Sequence, residues 1–486
     1  MKFDPNKWAL PLGVLGVVFF LFSLPDRWLD HDEAMLGEAS YWWWKLGYYR
    51  SILHYGLPNG WDEVQYSNHK AFVLLGSGMI SIFGWSLSVL RIVPLFFAGM
   101  ITWLVQKYLR NHFGSDRQWT GWVLTLFFFQ AMFFMAAYRF RPETMLMTFG
   151  FINFWLLDTY LKTGKFKYVV LAGICAGLGL FTHLNGAAYA GAGGLLLWSR
   201  KKFGPSVVYG ILGIAFGSLY LHNMLGPGQF EEFLTQYREN PNLSEADWHW
   251  YSPIVKAFSE HLRFFHSARE VSTSLLLLTA LIGSWKILKE KCSSLLRYFL
   301  FTILVLGALS RQTPIYYMIY LPFIVVIISV HLHRWTSLSN TWKGATLFFL
   351  SGFLLINAYF SWNLMSRRTD TAARTAEMVA PIPVGSSILG PTSLLFNALD
   401  EGYEIRSFKS FKFLVRNYPD YPDNYEGLVD FLNDTAPDYI ILDHIDYNQD
   451  EFGDFRDPSE LTMNESVGSF QVTEIHEDWT LLQRMP

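Results

Sequence analysis

Cysteine is nearly absent: Cys175 and Cys292 are the only two in 486 residues. Cys175 lies within an apolar run and Cys292 beside Lys289 and Lys291, so no disulfide framework is expected outside a membrane. Charge is scarce as well, at 16% of residues with a net of -3, and no basic block stands out. That pattern gives no sign of a nucleic-acid partner. No Gly-rich phosphate loop sits between a strand and a helix. The first apolar run, 8–24, follows Lys2 and Lys7 but lacks a small-residue cleavage site. It reads as an uncleaved first helix, not a signal peptide.

What the chain has in abundance is apolar surface: 51% of residues are hydrophobic and 18% aromatic. A transmembrane helix needs ~20 mostly apolar residues, and many windows supply them. Beyond the first helix, spans are expected near 85–106, 119–137, 143–161, 168–182, 186–199, 206–223, 271–288, 295–310, 315–332 and 342–360, about eleven in all. Lys107, Arg110, Arg117, Lys162, Lys165, Lys167, Arg200, Lys201, Lys202, Lys286, Lys289, Lys291, Arg334 and Lys343 then fall on one side. This is the positive-inside asymmetry, and it puts the N-terminus in the cytoplasm. A multi-pass protein of the plasma membrane, in a bacterium the inner membrane, is expected.

The first outer loop, 25–84, is too broken to span. Segments 33–48 and 70–83 read as amphipathic helices on the membrane surface, with Trp42, Trp43, Trp44, Tyr48 and Tyr49 suited to its aromatic belt. The loop opens on Asp30, His31, Asp32, Glu33 and Glu38. Ionisable groups are expensive near hydrocarbon, so such a cluster is a functional-site candidate. A plainer reading has Asp32 capping the following helix, with Glu33 in its favourable first turn. Arg139, Arg141 and Arg311 sit outside, where the positive-inside rule disfavours them. Arg139, Arg141, Pro142 and Glu143 are equally readable as an interfacial anchor at a helix start. In the outer loop 224–270, Trp248, His249 and Tyr251 offer either a belt or a platform for a sugar ring. His31, Asp32, His54 and His69 are candidates for one divalent ion, although their spacing matches no compact metal motif. No organic cofactor is expected.

From about 361 to 486 charge and proline rise and no span remains. Segments 387–390 and 438–443 read as short buried strands, and 425–433 as an amphipathic helix. The expected fold is therefore an all-α polytopic membrane domain, 1–360, followed by a small extracytoplasmic α/β domain, 361–486.

Several of these pieces form an ordered set. The His31-Asp32-Glu33 cluster after a first helix is similar to the acidic first-loop motif of the GT-C glycosyltransferases. His69-Lys70-Ala71-Phe72, then Phe83-Gly84, then Leu90-Arg91 resembles a segment of the branch holding protein O-mannosyltransferases and the lipid A aminoarabinose transferase. Arg139 to Glu143 resembles that branch's second acidic site, and Arg311 to Tyr317 with Leu321-Pro322 its late basic-aromatic motif. Ala71 replaces the usual proline, Glu143 a commoner aspartate, and Thr182-His183 a frequent Thr-Lys turn.

The resemblance implies transfer of a sugar from a polyprenyl phosphate to an acceptor outside the cytoplasm, in an inverting single displacement. Phosphate is a good leaving group, so one carboxylate acting as general base suffices, contributing ~10²–10⁴-fold. Asp32 is expected in that role, with Glu33 and Glu143 assisting. Lys70, Arg139, Arg141 and Arg311, with Tyr316 and Tyr317, are expected to hold the phosphate. His69, Trp248, His249 and Tyr251 are expected to face the acceptor or sugar. The acceptor stays open between lipid, protein and glycan. Two other readings stay open: a transporter or flippase of lipid-linked sugars, and a glycan ligase or polymerase using a diphosphate-linked donor. The sequence shows no internal repeat, and its unusual charges lie at the outer rim instead of mid-membrane.

Overall fold

The structure is a computed structural model describing residues 4–25, 27–57, 60–66, 69–238, 251–310, 313–366, 371–418, 421–444 and 455–486. Helices dominate. They run α1 (Ala9–Phe22), α2 (His31–Leu46), α3 (Lys70–Phe83), α4 (Leu87–Phe113), α5 (Arg117–Phe128), α6 (Ala131–Ala136), α7 (Glu143–Thr163), α8 (Lys167–Thr182) and α9 (Ala187–Ser199). After α10 (Phe203–Gly217) come α11 (Gln229–Arg238), α12 (Ser252–Ser259), α13 (His261–Phe264), α14 (Ala268–Gly283), α15 (Trp285–Lys291), α16 (Ser293–Leu309), α17 (Leu321–His333) and α18 (Asn340–Ser366).

Among the described residues, four helices are long and apolar enough to cross a membrane, or five if the bent pair α14–α15 counts as one span. About eleven were expected, and the difference has local causes. The apolar stretch 119–137 breaks at Phe129 and Gln130 into α5 and α6, because the Gln130 side chain caps α6 by accepting from the Phe133 N–H. Helices α1, α8 and α9 are 14, 16 and 13 residues long. Helix α7 has the length, but Asn153, Asp158 and Lys162 reduce its apolarity. The bundle's centre is α17, where every side chain from Leu321 to Leu332 is buried. Around it α1 and α5 cross closely at Gly13 and Gly121. A Cβ on Gly121 would meet the Leu10 nitrogen at 2.4 Å, so only glycine permits that crossing.

The segment 25–84 contains two helices, α2 and α3. The N-cap of α2 is Asp30, not Asp32: its carboxylate accepts from the Asp32 N–H at 3.1 Å, and Glu33 returns to the Asp30 N–H at 3.1 Å. This capping box satisfies the helix end and leaves the Asp32 side chain free for other work. Gly47, at φ 77°, closes the helix in the left-handed conformation.

After α18 the chain forms α19 (Thr371–Val379), β1 (Ser387–Leu389), α20 (Leu395–Ala398), β2 (Glu404–Arg406), α21 (Lys409–Asn417), α22 (Tyr425–Thr435), β3 (Tyr439–Asp443), β4 (Ser466–Val467), β5 (Phe470–Ile475) and β6 (Trp479–Arg484). The sheet order is β2-β1-β3-β6-β5-β4, with β2, β1 and β3 parallel and the rest antiparallel. This small α/β unit rests on the segment between α2 and α3. The Ser407 N–H donates to the Leu53 carbonyl at 3.0 Å, Arg406 lies 3.8 Å over the Tyr55 ring, and Phe413 stacks on His54 at 5.4 Å. Both cysteines are free thiols.

Candidate active site

The capping of α2 decides which carboxylates remain available. Glu33 is fully buried and its oxygens are occupied. Arg91 of α4 donates to it twice, at 2.9 and 2.8 Å, and the Phe140 N–H donates at 2.8 Å. Burial alone would raise its proton affinity, but Arg91 outweighs that and holds the carboxyl below its usual range. Glu33 therefore ties α2, α4 and the Arg139–Glu143 turn together. Asp32, one residue earlier, points elsewhere, since successive helical side chains diverge by about 100°.

Arg141 is the hub of the acidic cluster. Its guanidinium donates to Asp32 and also clasps Glu143, at 2.8 Å from Nη2 and 3.1 Å from Nε. Arg139 instead pairs with Asp30, so the partner of Glu143 is Arg141. Side-chain exposure separates the acids: 39% for Asp32, against 0% for Glu33 and 1% for Glu143. Asp32 alone of these three presents a carboxylate to open space. Burial works against its charge, but the Arg141 guanidinium, with Arg139 behind it, prevails and keeps it ionised below the usual aspartate range.

Imidazoles and a tyrosine form the adjoining wall. His69, the N-cap of α3, stacks on His183 at 4.4 Å, and His183 Nε2 faces the Tyr316 hydroxyl at 3.5 Å. Burial pushes His69 down to about 4, so it is neutral, and it lies within the fields of Glu143, Arg141 and Asp32. Tyr316 feels the same three groups, whereas the Tyr317 hydroxyl turns to Ser274 at 3.5 Å, away from the cluster. The Lys70 ammonium donates to the Tyr220 carbonyl at 2.6 Å and to Asn223. Burial lowers it to about 7, so an arriving anion would restore its full charge.

Arg311, Trp248 and His249 lie outside the described residues. Tyr251 is exposed at the start of α12. His31 and His54 approach at 5.9 Å between ring centroids, but no group of three or more histidine, cysteine or acidic side chains is arranged to hold a metal ion among the described residues.

Two residues join the site that the sequence did not single out for it. His183 does so through the stacking just described. Arg263 of α13 is buried, pairs with Glu260 at 3.0 Å and lies 5.6 Å over the Tyr316 ring. The positive-inside rule weighs short loops most, so an arginine in the long loop 224–270 raises no flag.

Residues 72–220 match the family model of the dolichyl-phosphate-mannose-protein mannosyltransferases. That stretch contains Arg139, Arg141, Glu143 and His183. The architecture matches ArnT from Cupriavidus metallidurans in the apo state, with TM-score 0.58 over 98% of this chain and 97% of that one, at 11% identity. The same protein bound to undecaprenyl phosphate matches at TM-score 0.58, 12% identity and 98% of each chain. The Archaeoglobus fulgidus oligosaccharyltransferase in its apo form matches at TM-score 0.53 and 12% identity, over 90% of this chain and 70% of that one. The chain shares the fold of these two proteins. The long apolar helices and the likeness to ArnT agree on a multi-pass membrane protein. No curated protein matches the sequence significantly.

The N-terminal ends of α2, α3 and α7 converge with the turn at His183 and the segment before α17. The acidic, basic and imidazole groups come from separate parts of the chain, and only folding unites them.

Proposed function

We propose that this protein transfers a sugar from a polyprenyl-phosphate donor to an acceptor on the extracytoplasmic side, with Asp32 as general base in an inverting single displacement. The observation that carries the reading is the Asp32–Arg141–Glu143 bridge, which offers one exposed, ionised carboxylate beside an arginine held by a second acid. A base must reach the acceptor's proton, and Asp32 is the most exposed of the clustered acids, at 39% of its side chain against 26% for Asp30. Glu33 and Glu143 act on its behalf. Glu33 fixes the helix from which Asp32 projects, and Glu143 orients Arg141.

The donor phosphate needs fixed positive charge: Arg263 and Arg141 lie within the field of Tyr316, and Lys70 follows His69 at the start of α3. An apolar groove of about 270 Å³, lined by Pro253, Ile254, Ala257, Phe258, Leu304 and Ala308, runs between α12 and α16. Helix α13, which carries Arg263, follows α12 directly, so a prenyl tail in the groove would bring its phosphate toward Arg263. ArnT of Cupriavidus metallidurans has been crystallised with undecaprenyl phosphate, which supports a lipid of that class here. A plasma membrane setting with a cytoplasmic N-terminus, an odd number of crossings near eleven, and a division near 360 belong to this reading. The basic residues of alternate loops support it. A divalent ion is not needed for the step, because phosphate leaves without one.

Lys70→Ala and Arg263→Ala are expected to raise the KM for a polyprenyl-phosphate sugar about tenfold or more, as loss of a charge-assisted phosphate contact would. The assay is the rate of transfer against donor concentration in detergent or nanodiscs. Unchanged donor dependence in both variants would remove these residues from the phosphate site.

A further inference from the structure

Beside the apolar groove between α12 and α16 lies a buried pair of charges, Glu260 and Arg263, of which the proposed transfer uses only the arginine. Glu260 sits where α12 passes into α13. Its Oε1 lies 3.0 Å from Arg263 Nε and accepts from the Tyr320 hydroxyl at 2.6 Å. Its other oxygen is buried and has no hydrogen-bond partner among the described residues. Burial raises the Glu260 carboxyl, and Arg263 and the Tyr320 hydroxyl oppose the rise.

Tyr320 closes the 3-10 turn Pro314–Tyr320. Side chains three apart eclipse in such a turn. Tyr317 and Tyr320 therefore share one side, and both meet Phe264 of α13: Tyr320 stacks on it at 5.1 Å and Tyr317 stands edge-on at 5.5 Å. Tyr316 projects to another side. Its hydroxyl faces His183, and the Arg263 guanidinium lies 5.6 Å over its ring. The groove reaches the same junction. Ala257, three residues before Glu260, lines it together with Leu304 and Ala308 of α16. Gly307, next to Ala308, leaves room for Glu260 to pass: a Cβ there would stand 3.0 Å from the Glu260 Cβ and from the Ala257 Cα.

A long side chain that must be ordered on binding gives up part of the contact it makes. A guanidinium already held by a carboxylate keeps its geometry, as Arg141 does on Glu143. We propose that Glu260, braced by Tyr320, is a positioning residue that fixes the Arg263 guanidinium beside Tyr316 at the head of the prenyl groove, where the donor phosphate arrives. The inference rests on Arg263 being a phosphate contact. Glu260 acts through Arg263, so its loss changes donor binding and leaves the proton transfer at Asp32 intact.

Two substitutions separate positioning from folding. Tyr320→Phe removes one hydroxyl and keeps the ring that stacks on Phe264. Glu260→Gln keeps an oxygen for the Tyr320 hydroxyl and loses the charge that holds Arg263. The readout is kcat and KM for a polyprenyl-phosphate sugar in nanodiscs, with thermal melting as the folding control. The expected result is a donor KM about fivefold higher in Tyr320→Phe and about tenfold higher in Glu260→Gln, at unchanged kcat. Glu260→Gln combined with Arg263→Ala should show the KM of Arg263→Ala alone, because nothing is left to position. A parental donor KM in Tyr320→Phe overturns the inference, whether or not melting falls, since the pair would then serve the fold alone. A double variant whose KM exceeds that of Arg263→Ala overturns it as well. A parental KM in Arg263→Ala would instead overturn the phosphate contact on which the inference rests.

Discussion

Asp32→Asn is expected to leave the protein folded and membrane-embedded while sugar transfer falls by about 10²–10⁴-fold. Asparagine keeps the size of aspartate and can still accept from Arg141, and the α2 cap is untouched because the capping side chain belongs to Asp30. What disappears is a lone pair basic enough to take the acceptor's proton. The loss should therefore fall on kcat, with donor KM little changed. Matching melting curves with near-parental turnover would show that Asp32 is not the base. A lowered melting temperature would show that Asp32 serves the fold.

Arg91→Ala is expected to have the reverse profile, with stability lost first and activity following from it. Arg91 is the main counter-charge of a fully buried carboxylate, and the pair is held by two hydrogen bonds under 3 Å. Removing one member of such a pair leaves an uncompensated charge and typically costs ~3–5 kcal/mol. The measurement is thermal unfolding in detergent, where a large drop is predicted for Arg91→Ala. Arg91→Ala with Glu33→Ala should lose less than the sum of the two single variants, because no lone charge remains. Because Glu33 sits below its usual range when folded, the pair's contribution is complete above the ordinary glutamate range. It is lost as pH falls through the lowered value. A melting temperature unchanged in Arg91→Ala would mean that the pair does not hold the loop together.

The two acids differ in ways the sequence could only partly convey. The cluster from Asp30 to Glu38 announced itself because charge at the mouth of an apolar chain is expensive. Which carboxylate caps the helix, which pairs with Arg91 and which stays exposed depends on φ and ψ at Asp30 and on a guanidinium from α4, 58 residues away. Such partnerships leave no trace in local pattern. The strands at Ser387–Leu389 and Tyr439–Asp443 were legible because short apolar runs bounded by polar turns have few other solutions. The number of long apolar helices was not, because periodicity does not report a break such as that at Gln130 or the 79° bend between α14 and α15. His183 stood out in sequence only as a departure from a family pattern, yet its ring stacks against His69 in the site wall.

The most direct test is to incubate the purified protein in nanodiscs with a panel of sugars linked to polyprenyl monophosphate or polyprenyl diphosphate, together with a membrane extract as acceptor. The account predicts that a monophosphate-linked sugar is consumed, that free polyprenyl phosphate appears in equal amount, and that Asp32→Asn stops both. Consumption of only diphosphate-linked donors, or no consumption by a protein shown to be folded, would contradict it.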